Sequence, residues 1–134
     1  MFKKIAHIGI AVKNLEKSSV LFASLFQRKP SKRERIDEQG VEVVFFELGE
    51  TKVELTQAIS ADSPIAKFLA KRGEGVHHIS FEVDDIHAEV ARLKQAGFEV
   101  LSDKPSIGAD GYWVAFLHPR TTNGVLLEIS QKKQ

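Results

Sequence analysis

Two stretches of the chain alternate regularly between large apolar residues and smaller or polar ones. In residues 8–12, isoleucine or valine stands at every second position, with glycine or alanine between them. In residues 79–83, isoleucine, phenylalanine and valine follow the same rule, separated by serine and glutamate. A period of two predicts a half-buried β-strand, because successive side chains of a strand point to opposite faces. Each stretch therefore predicts a strand with one apolar face.

These two strands belong to a longer internal repeat. His7 recurs as His78, 71 residues later, and the residues around them match in the same order. A single short match between two apolar strands often arises by chance. Three matching segments that follow one another in the same order favour a duplication. We interpret residues 1–134 as a single domain, internally duplicated as 1–72 and 76–134. The matching windows are residues 6–15 with 77–86, residues 43–46 with 114–117, and residues 53–57 with 127–131.

Helix signals follow the first strand in each half. Asn14 and Asp85 are good N-caps, and Gly97 marks the end of the second helix. On the first helix, Leu15, Phe22, Leu25 and Phe26 are predicted to share one buried face. A further short helix should begin at Ser63-Pro64, since proline suits the first turn. Three strands are then predicted in each half, over residues 30–36, 41–48 and 52–58, and over residues 98–103, 112–117 and 125–131.

Each half therefore has the order strand, helix and three strands. This predicts an α+β fold of two βαβββ modules, each too small for a full core of its own. The charged segment 28–38 is expected to be a solvated edge strand. Residues 71–75 are expected to link the two halves.

Composition narrows the classes of function. The 134 residues include nineteen Lys and Arg against eighteen Asp and Glu, a formal net charge of +1. This balance argues against a polybasic nucleic-acid binder and an acidic disordered tail. No apolar run approaches the roughly 20 residues of a membrane-spanning helix, and His7 interrupts any signal-peptide apolar region. A cytoplasmic protein without a membrane partner is therefore expected. Cysteine is absent, so any metal must be held by nitrogen and oxygen ligands.

Four polar residues occupy equivalent positions in the two halves. His7 and His78 lie on the first strands, opposite the aliphatic face, and Glu54 and Glu128 lie between aliphatic residues on the last strands. Two imidazoles and two carboxylates, completed by water, suit a divalent ion such as Zn, Co, Ni, Mn or Fe(II). A single His or Glu on a strand is usually a core or surface residue, but a matched duplicate of both favours metal binding. His77, His87 and His118 do not repeat, and we expect supporting or surface roles for them.

Five segments of the chain resemble the vicinal oxygen chelate superfamily, also called glyoxalase/bleomycin-resistance/dioxygenase proteins. The resemblance covers essentially the whole chain and is strongest to the family of methylmalonyl-CoA epimerases. It implies one incomplete, barrel-like curved mixed β-sheet with the helices outside. It also implies a homodimer that acts on an acyl-CoA substrate. The segments are residues 62–69, 75–79, 107–111, 116–119 and 124–128.

The resemblance also implies a reaction, the interconversion of (R)- and (S)-methylmalonyl-CoA. The α-proton is removed to leave an enolate, whose charge a chelated cation stabilises, and the proton is then returned. Glu128 is implied as both a metal ligand and the base on one face. Glu42, which follows the Gln39-Gly40 turn, is the candidate base on the other face, with Glu47 in reserve. An exposed strand carboxylate is an equally good interpretation of both residues.

Three other functions share this scaffold. A lactoylglutathione lyase-type isomerase would use the same four ligands and similar proton transfer. A non-catalytic protein that sequesters a drug, as in bleomycin resistance, would need no metal, and the four intact ligand positions argue against it. An extradiol dioxygenase uses two His and one carboxylate, so a fourth protein ligand makes it the weakest alternative.

Overall fold

The computed structural model describes residues 1–133, which form eight strands and three α-helices. The strands are β1 (Phe2–Ala11), β2 (Lys32–Ile36), β3 (Val41–Leu48), β4 (Thr51–Ala58), β5 (Gly75–Val83), β6 (Ser106–Ile107), β7 (Tyr112–Leu117) and β8 (Leu127–Lys132). The helices are α1 (Leu15–Phe26), α2 (Pro64–Arg72) and α3 (Ile86–Gln95). The content of helices and strands confirms the α+β class.

The chain divides into two compact units, and the division falls at the two repeated histidines. One unit is His7–His77, and the other is Met1–Ala6 together with the chain from His78 onward. In the His7–His77 unit, β1 pairs in parallel with β4, while β3 pairs antiparallel with both β4 and β2. β2 is thus an edge strand, as its charged sequence predicts. Helix α1 packs on one face of this sheet, and the core there includes Leu15, Val44, Phe46 and Leu55.

The other unit repeats this pattern. β5 pairs in parallel with β8, and β7 pairs antiparallel with both β8 and β6. Helix α3 covers one face, with Ile86, Val90 and Ile129 in the core. Both halves therefore have the predicted βαβββ order. The limits assigned to the duplication, 1–72 and 76–134, stay a prediction.

Side-chain caps start all three helices where the sequence predicts. The side chain of Asn14 accepts a hydrogen bond from Lys17 N at 3.0 Å, and that of Asp85 accepts one from Ala88 N at 3.1 Å. Ser63 caps α2 in the same way, and Pro64 occupies the first turn. These bonds satisfy backbone donors that have no partner within the helix.

Each strand–helix corner is also tied to the last strand of its own unit. The backbone N–H of Leu15 donates to Gln57 Oε1 at 2.6 Å, and that of Ile86 donates to Gln131 Oε1 at 2.8 Å. Because Gln57 and Gln131 match in the repeat, the same long-range bond positions α1 and α3.

Two sequence predictions about these elements are wrong. The strand predicted at 98–103 is replaced by a single bridge from Val100 to Leu117, and the pairing strand is the later Ser106–Ile107. A turn in which the hydroxyl of Ser102 donates to Lys104 O interrupts the extended chain. On α1, Leu25 is 67% exposed, whereas Leu15, Phe22 and Phe26 contact the core.

No helix within residues 1–133 combines the length and the apolarity that crossing a bilayer would require.

Candidate functional site

In the His7–His77 unit, His7 and Glu54 form a buried pair. Nδ1 of His7 lies 3.1 Å from Oε2 of Glu54, and the side chains are only 12% and 8% exposed. Val53 and Leu55 point into the core beneath α1. Glu54 therefore points to the opposite face of β4, as strand alternation requires. The structure brings these two predicted ligands together.

The surroundings of His7 favour its neutral form. Burial lowers the pKa of His7 from 6.5 to about 4, and the positive charge of Lys52 acts in the same direction. Lys52 is the register partner of His7 on β4. An imidazole with this pKa is neutral at pH 7, so one ring nitrogen keeps the lone pair that a metal ligand needs.

In the other unit, His78 and Glu128 form the equivalent pair. Nε2 of His78 lies 3.9 Å from Oε1 of Glu128, and the side chains are 11% and 6% exposed. Ile129 is fully buried in the core against α3, so Glu128 points to the other face of β8. The ring of Phe116, the register partner of Glu128, meets the His78 ring edge-on at 5.6 Å.

The two paired carboxylates occupy equivalent positions, and Glu128 has a strongly shifted pKa. Burial raises the pKa of Glu128 from 4.5 to about 7, and a hydrogen bond from Ser80 partly opposes that rise. A carboxyl group with a pKa near 7 is the right kind of group to accept and return a proton at neutral pH.

Two buried serines near Glu128 were not predicted from the sequence. Ser80 and Ser130 are 0% and 1% exposed, and their hydroxyl oxygens lie 3.2 Å apart. Both lie an even number of residues from a predicted ligand, Ser80 from His78 and Ser130 from Glu128. That spacing was the available signal, because alternate residues of a strand share one face.

The structure does not bring Glu42 to either pair. Its carboxylate accepts a hydrogen bond from Arg33 Nε at 2.6 Å, and Arg33 also contacts Glu16 on α1. Phe45, by contrast, is the register partner of Glu54 and shares its face. Since residues 42 and 45 differ by an odd number, Glu42 lies on the α1-facing side of β3. Its role as a second base stays a prediction.

The reserve candidate Glu47 shares the face of Glu54. It is exposed near the end of β3, opposite Lys52 on β4.

The three remaining histidines make contacts away from the pairs. The ring of His77 meets Phe68 edge-on at 5.0 Å, and burial lowers the pKa of His77. His87 is exposed on α3, with its ring 6.1 Å from that of Trp113. Nδ1 of His118 accepts a hydrogen bond from Arg120 N at 3.0 Å and so caps a single 3-10 turn.

Comparison with known protein families gives one match over most of the chain. Residues 6–116 match the model described as Glyoxalase/Bleomycin resistance protein/Dioxygenase superfamily. The human mitochondrial methylmalonyl-CoA epimerase is 43% identical over 129 residues, which are 96% of this chain and 73% of that protein. The ethylmalonyl-CoA/methylmalonyl-CoA epimerase of Cereibacter sphaeroides is 41% identical over 98% of this chain and 99% of its own length.

Solved structures show the same likeness. A variant of Streptomyces coelicolor methylmalonyl-CoA epimerase in complex with 2-nitronate-propionyl-CoA superposes with a TM-score of 0.95 at 33% identity. A methylmalonyl-CoA epimerase in complex with methylmalonyl-CoA and NH4+ gives the same TM-score and identity. In both cases the match covers 98% of this chain and 96% of the other.

Proposed function

Because this chain belongs to the glyoxalase/bleomycin resistance/dioxygenase superfamily, we propose that it interconverts the (R) and (S) epimers of methylmalonyl-CoA. The observation that carries the proposal is the buried carboxyl of Glu128 beside His78, in a chain so similar to methylmalonyl-CoA epimerases. A group of this kind matches the central chemical demand of the reaction, which is reversible proton transfer at carbon.

The reaction removes the proton between a thioester carbonyl and a carboxylate. Ionised Glu128 takes this proton from one face and an enolate forms. A second acid then gives a proton to the opposite face, which yields the other epimer, while Glu128 passes its own proton to solvent. Without a metal, burial holds the pKa of the Glu128 carboxyl at about 7. A bound divalent ion would favour the ionised form, which is the form that takes the proton. Burial of the carboxyl also removes much of the water that would otherwise solvate its charge.

We further propose that His7, Glu54, His78 and Glu128 hold one divalent ion. Three of them, His7, His78 and Glu128, form a set in which each side chain offers one ligand atom to a metal. The donor chemistry fits, since a neutral imidazole and carboxylate oxygens suit Zn, Co, Ni, Mn or Fe(II). A bound ion would act as a Lewis acid toward the charge that develops on the substrate oxygens.

The partner of the protein in this proposal is an acyl-CoA, with a second copy of the chain completing a homodimer. The apolar side chains of Val20, Leu21 and Leu25 on α1 are 72%, 64% and 67% exposed, which favours contact with another apolar surface. Light scattering after size exclusion tests the dimer, and a mass near the 14.9 kDa of one chain would contradict it. The cytoplasmic location stays a prediction.

Incubation with methylmalonyl-CoA in deuterated water tests the reaction. We expect deuterium to enter the α-position at an enzymatic rate, and metal removal by a chelator to stop it. The same preparation should be offered the methylglyoxal–glutathione adduct. Turnover of that adduct without α-exchange would instead indicate a lactoylglutathione lyase-type isomerase. A metal-free protein with neither activity, unchanged by added cobalt or zinc, would favour a binding protein.

A further inference from the structure

Two buried hydroxyl groups connect to the carboxyl of Glu128. Ser80 on β5 is the register partner of Glu128 on β8, and it hydrogen-bonds to the Glu128 side chain. The Ser80 and Ser130 oxygens lie 3.2 Å apart, and the two residues are 0% and 1% exposed. The three side chains therefore form one hydrogen-bonded series, Ser130 to Ser80 to Glu128.

Such a series restrains the carboxylate. A hydroxyl buried without a partner is costly, so each serine keeps its hydrogen bonds and its rotamer. Hydrogen bonds of this kind fix the orientation of metal-ligating side chains, and their loss typically costs about 10- to 100-fold in metal affinity or activity.

The two halves of the repeat differ at the strand position beside the glutamate. Gly9 stands at the position equivalent to Ser80 and is the register partner of Glu54, as Ser80 is of Glu128. Glycine has no side chain, so no hydroxyl reaches Glu54 from that strand position. Thr56 stands at the position equivalent to Ser130. The two halves thus differ at the residue that contacts the carboxyl group.

We propose that Ser80, supported by Ser130, is a positioning residue that holds the Glu128 carboxylate in one orientation for metal ligation and proton transfer. This inference rests on the proposed function. Glu54, without the serine, then serves as a ligand only, and the duplication has become specialised so that one half carries the proton transfer. The serines act through Glu128 and need no contact with substrate.

Two measurements test this role, cobalt titration and α-deuterium exchange. Both are made on the wild type, Ser80→Ala, Ser130→Ala and the double variant. In Ser80→Ala we expect cobalt affinity to fall by about 10-fold and the turnover rate by about 10- to 100-fold, with KM within about threefold. Ser130→Ala should have a smaller effect in the same direction. The double variant should resemble Ser80→Ala, because residues that act in series are not additive.

Thr56→Val is the matched control, since it removes a buried hydroxyl at the equivalent position of the other half. It should leave cobalt affinity and turnover unchanged, while thermal unfolding of the metal-free proteins measures any general loss of stability. If Ser80→Ala folds and its cobalt affinity stays within twofold of wild type, the positioning role is wrong, whatever the activity of the variant. If Ser80→Ala does not fold, an unchanged cobalt affinity in Ser130→Ala would contradict the positioning role instead. A wild type that binds cobalt without α-exchange overturns only the proposed function.

Discussion

Nδ1 of His7 lies 3.1 Å from Oε2 of Glu54, and both side chains are almost completely buried. An imidazole that is neutral at pH 7 and a carboxylate in this arrangement are a typical pair of ligands for a divalent ion. We therefore predict that His7→Ala abolishes metal loading, measured by elemental analysis, and lowers α-deuterium exchange by at least about 100-fold. The alanine variant should keep its fold, as far-ultraviolet circular dichroism can check.

His87→Ala is the control for this substitution. His87 is exposed on α3 and contacts the ring of Trp113, so its loss should leave metal content and exchange at wild-type values. Full activity in a folded His7→Ala protein would show that the ligand assignment is wrong.

Glu42 offers a test of the second base. Its carboxylate pairs with Arg33 on the α1-facing side of β3, the side opposite to the one that carries Glu54. We expect Glu42→Gln to retain exchange within about twofold and to lose less than about 1 kcal/mol of unfolding free energy, as for an exposed ion pair. If the turnover rate instead fell by about 10-fold or more while KM stayed the same, the result would support Glu42 as the second base.

The strand faces of Glu54 and Glu128 could be predicted from the sequence because their strands are apolar on one face only. Ile129 and Leu55 mark the core side, so the faces of Glu128 and Glu54 follow from alternation alone. Strand β3 is different, since Val43, Val44, Phe45 and Phe46 are all buried. With apolar residues on both faces, no pattern in β3 shows which face Glu42 shares.

The remaining differences arise from contacts that sequence patterns do not contain. Leu25 fits the apolar periodicity of α1, yet the sheet does not cover it, and it stays exposed. Ser80 resembles the polar residue of an ordinary strand. The contact of Ser80 with Glu128 depends on β8 lying beside β5 in a register that places Glu128 opposite Ser80. Register between distant strands is a tertiary property, and one sequence carries little information about it.

The bond from Leu15 N to Gln57 leads to a prediction about stability. Leu15 is 1% exposed, so replacing Gln57 by alanine leaves a buried backbone donor without its partner. We expect Gln57→Ala to lower the unfolding free energy by about 1–3 kcal/mol in urea denaturation, and Gln131→Ala to do the same at α3. Gln95→Ala, an exposed change at the end of α3, should cost almost nothing. Equal stability of all three variants would show that these bonds contribute little.

His7 and Glu128 should affect the pH dependence of stability in opposite directions. The folded pKa of His7 is lowered from 6.5 to about 4, so the unfolded chain binds more protons, and stability rises with pH across that window. The folded pKa of Glu128 is raised from 4.5 to about 7, so its contribution is complete below pH 4.5 and is lost as pH rises through 7. In the metal-free protein the two contributions largely cancel.

Glu128→Gln should separate these contributions. Because glutamine carries no charge to desolvate, we expect the metal-free variant to be more stable than wild type at pH 8 by up to roughly 3 kcal/mol. The advantage should disappear below about pH 3.5, where the wild-type carboxyl is protonated in both states. Between pH 4 and 6.5, the stability of the variant should rise with pH because of His7, whereas in the wild type the Glu128 contribution hides this rise. Urea denaturation at each pH, with chelator present, measures this, and adding cobalt should stabilise wild type more than the variant. Equal stability at pH 8 would show that burial of Glu128 costs nothing.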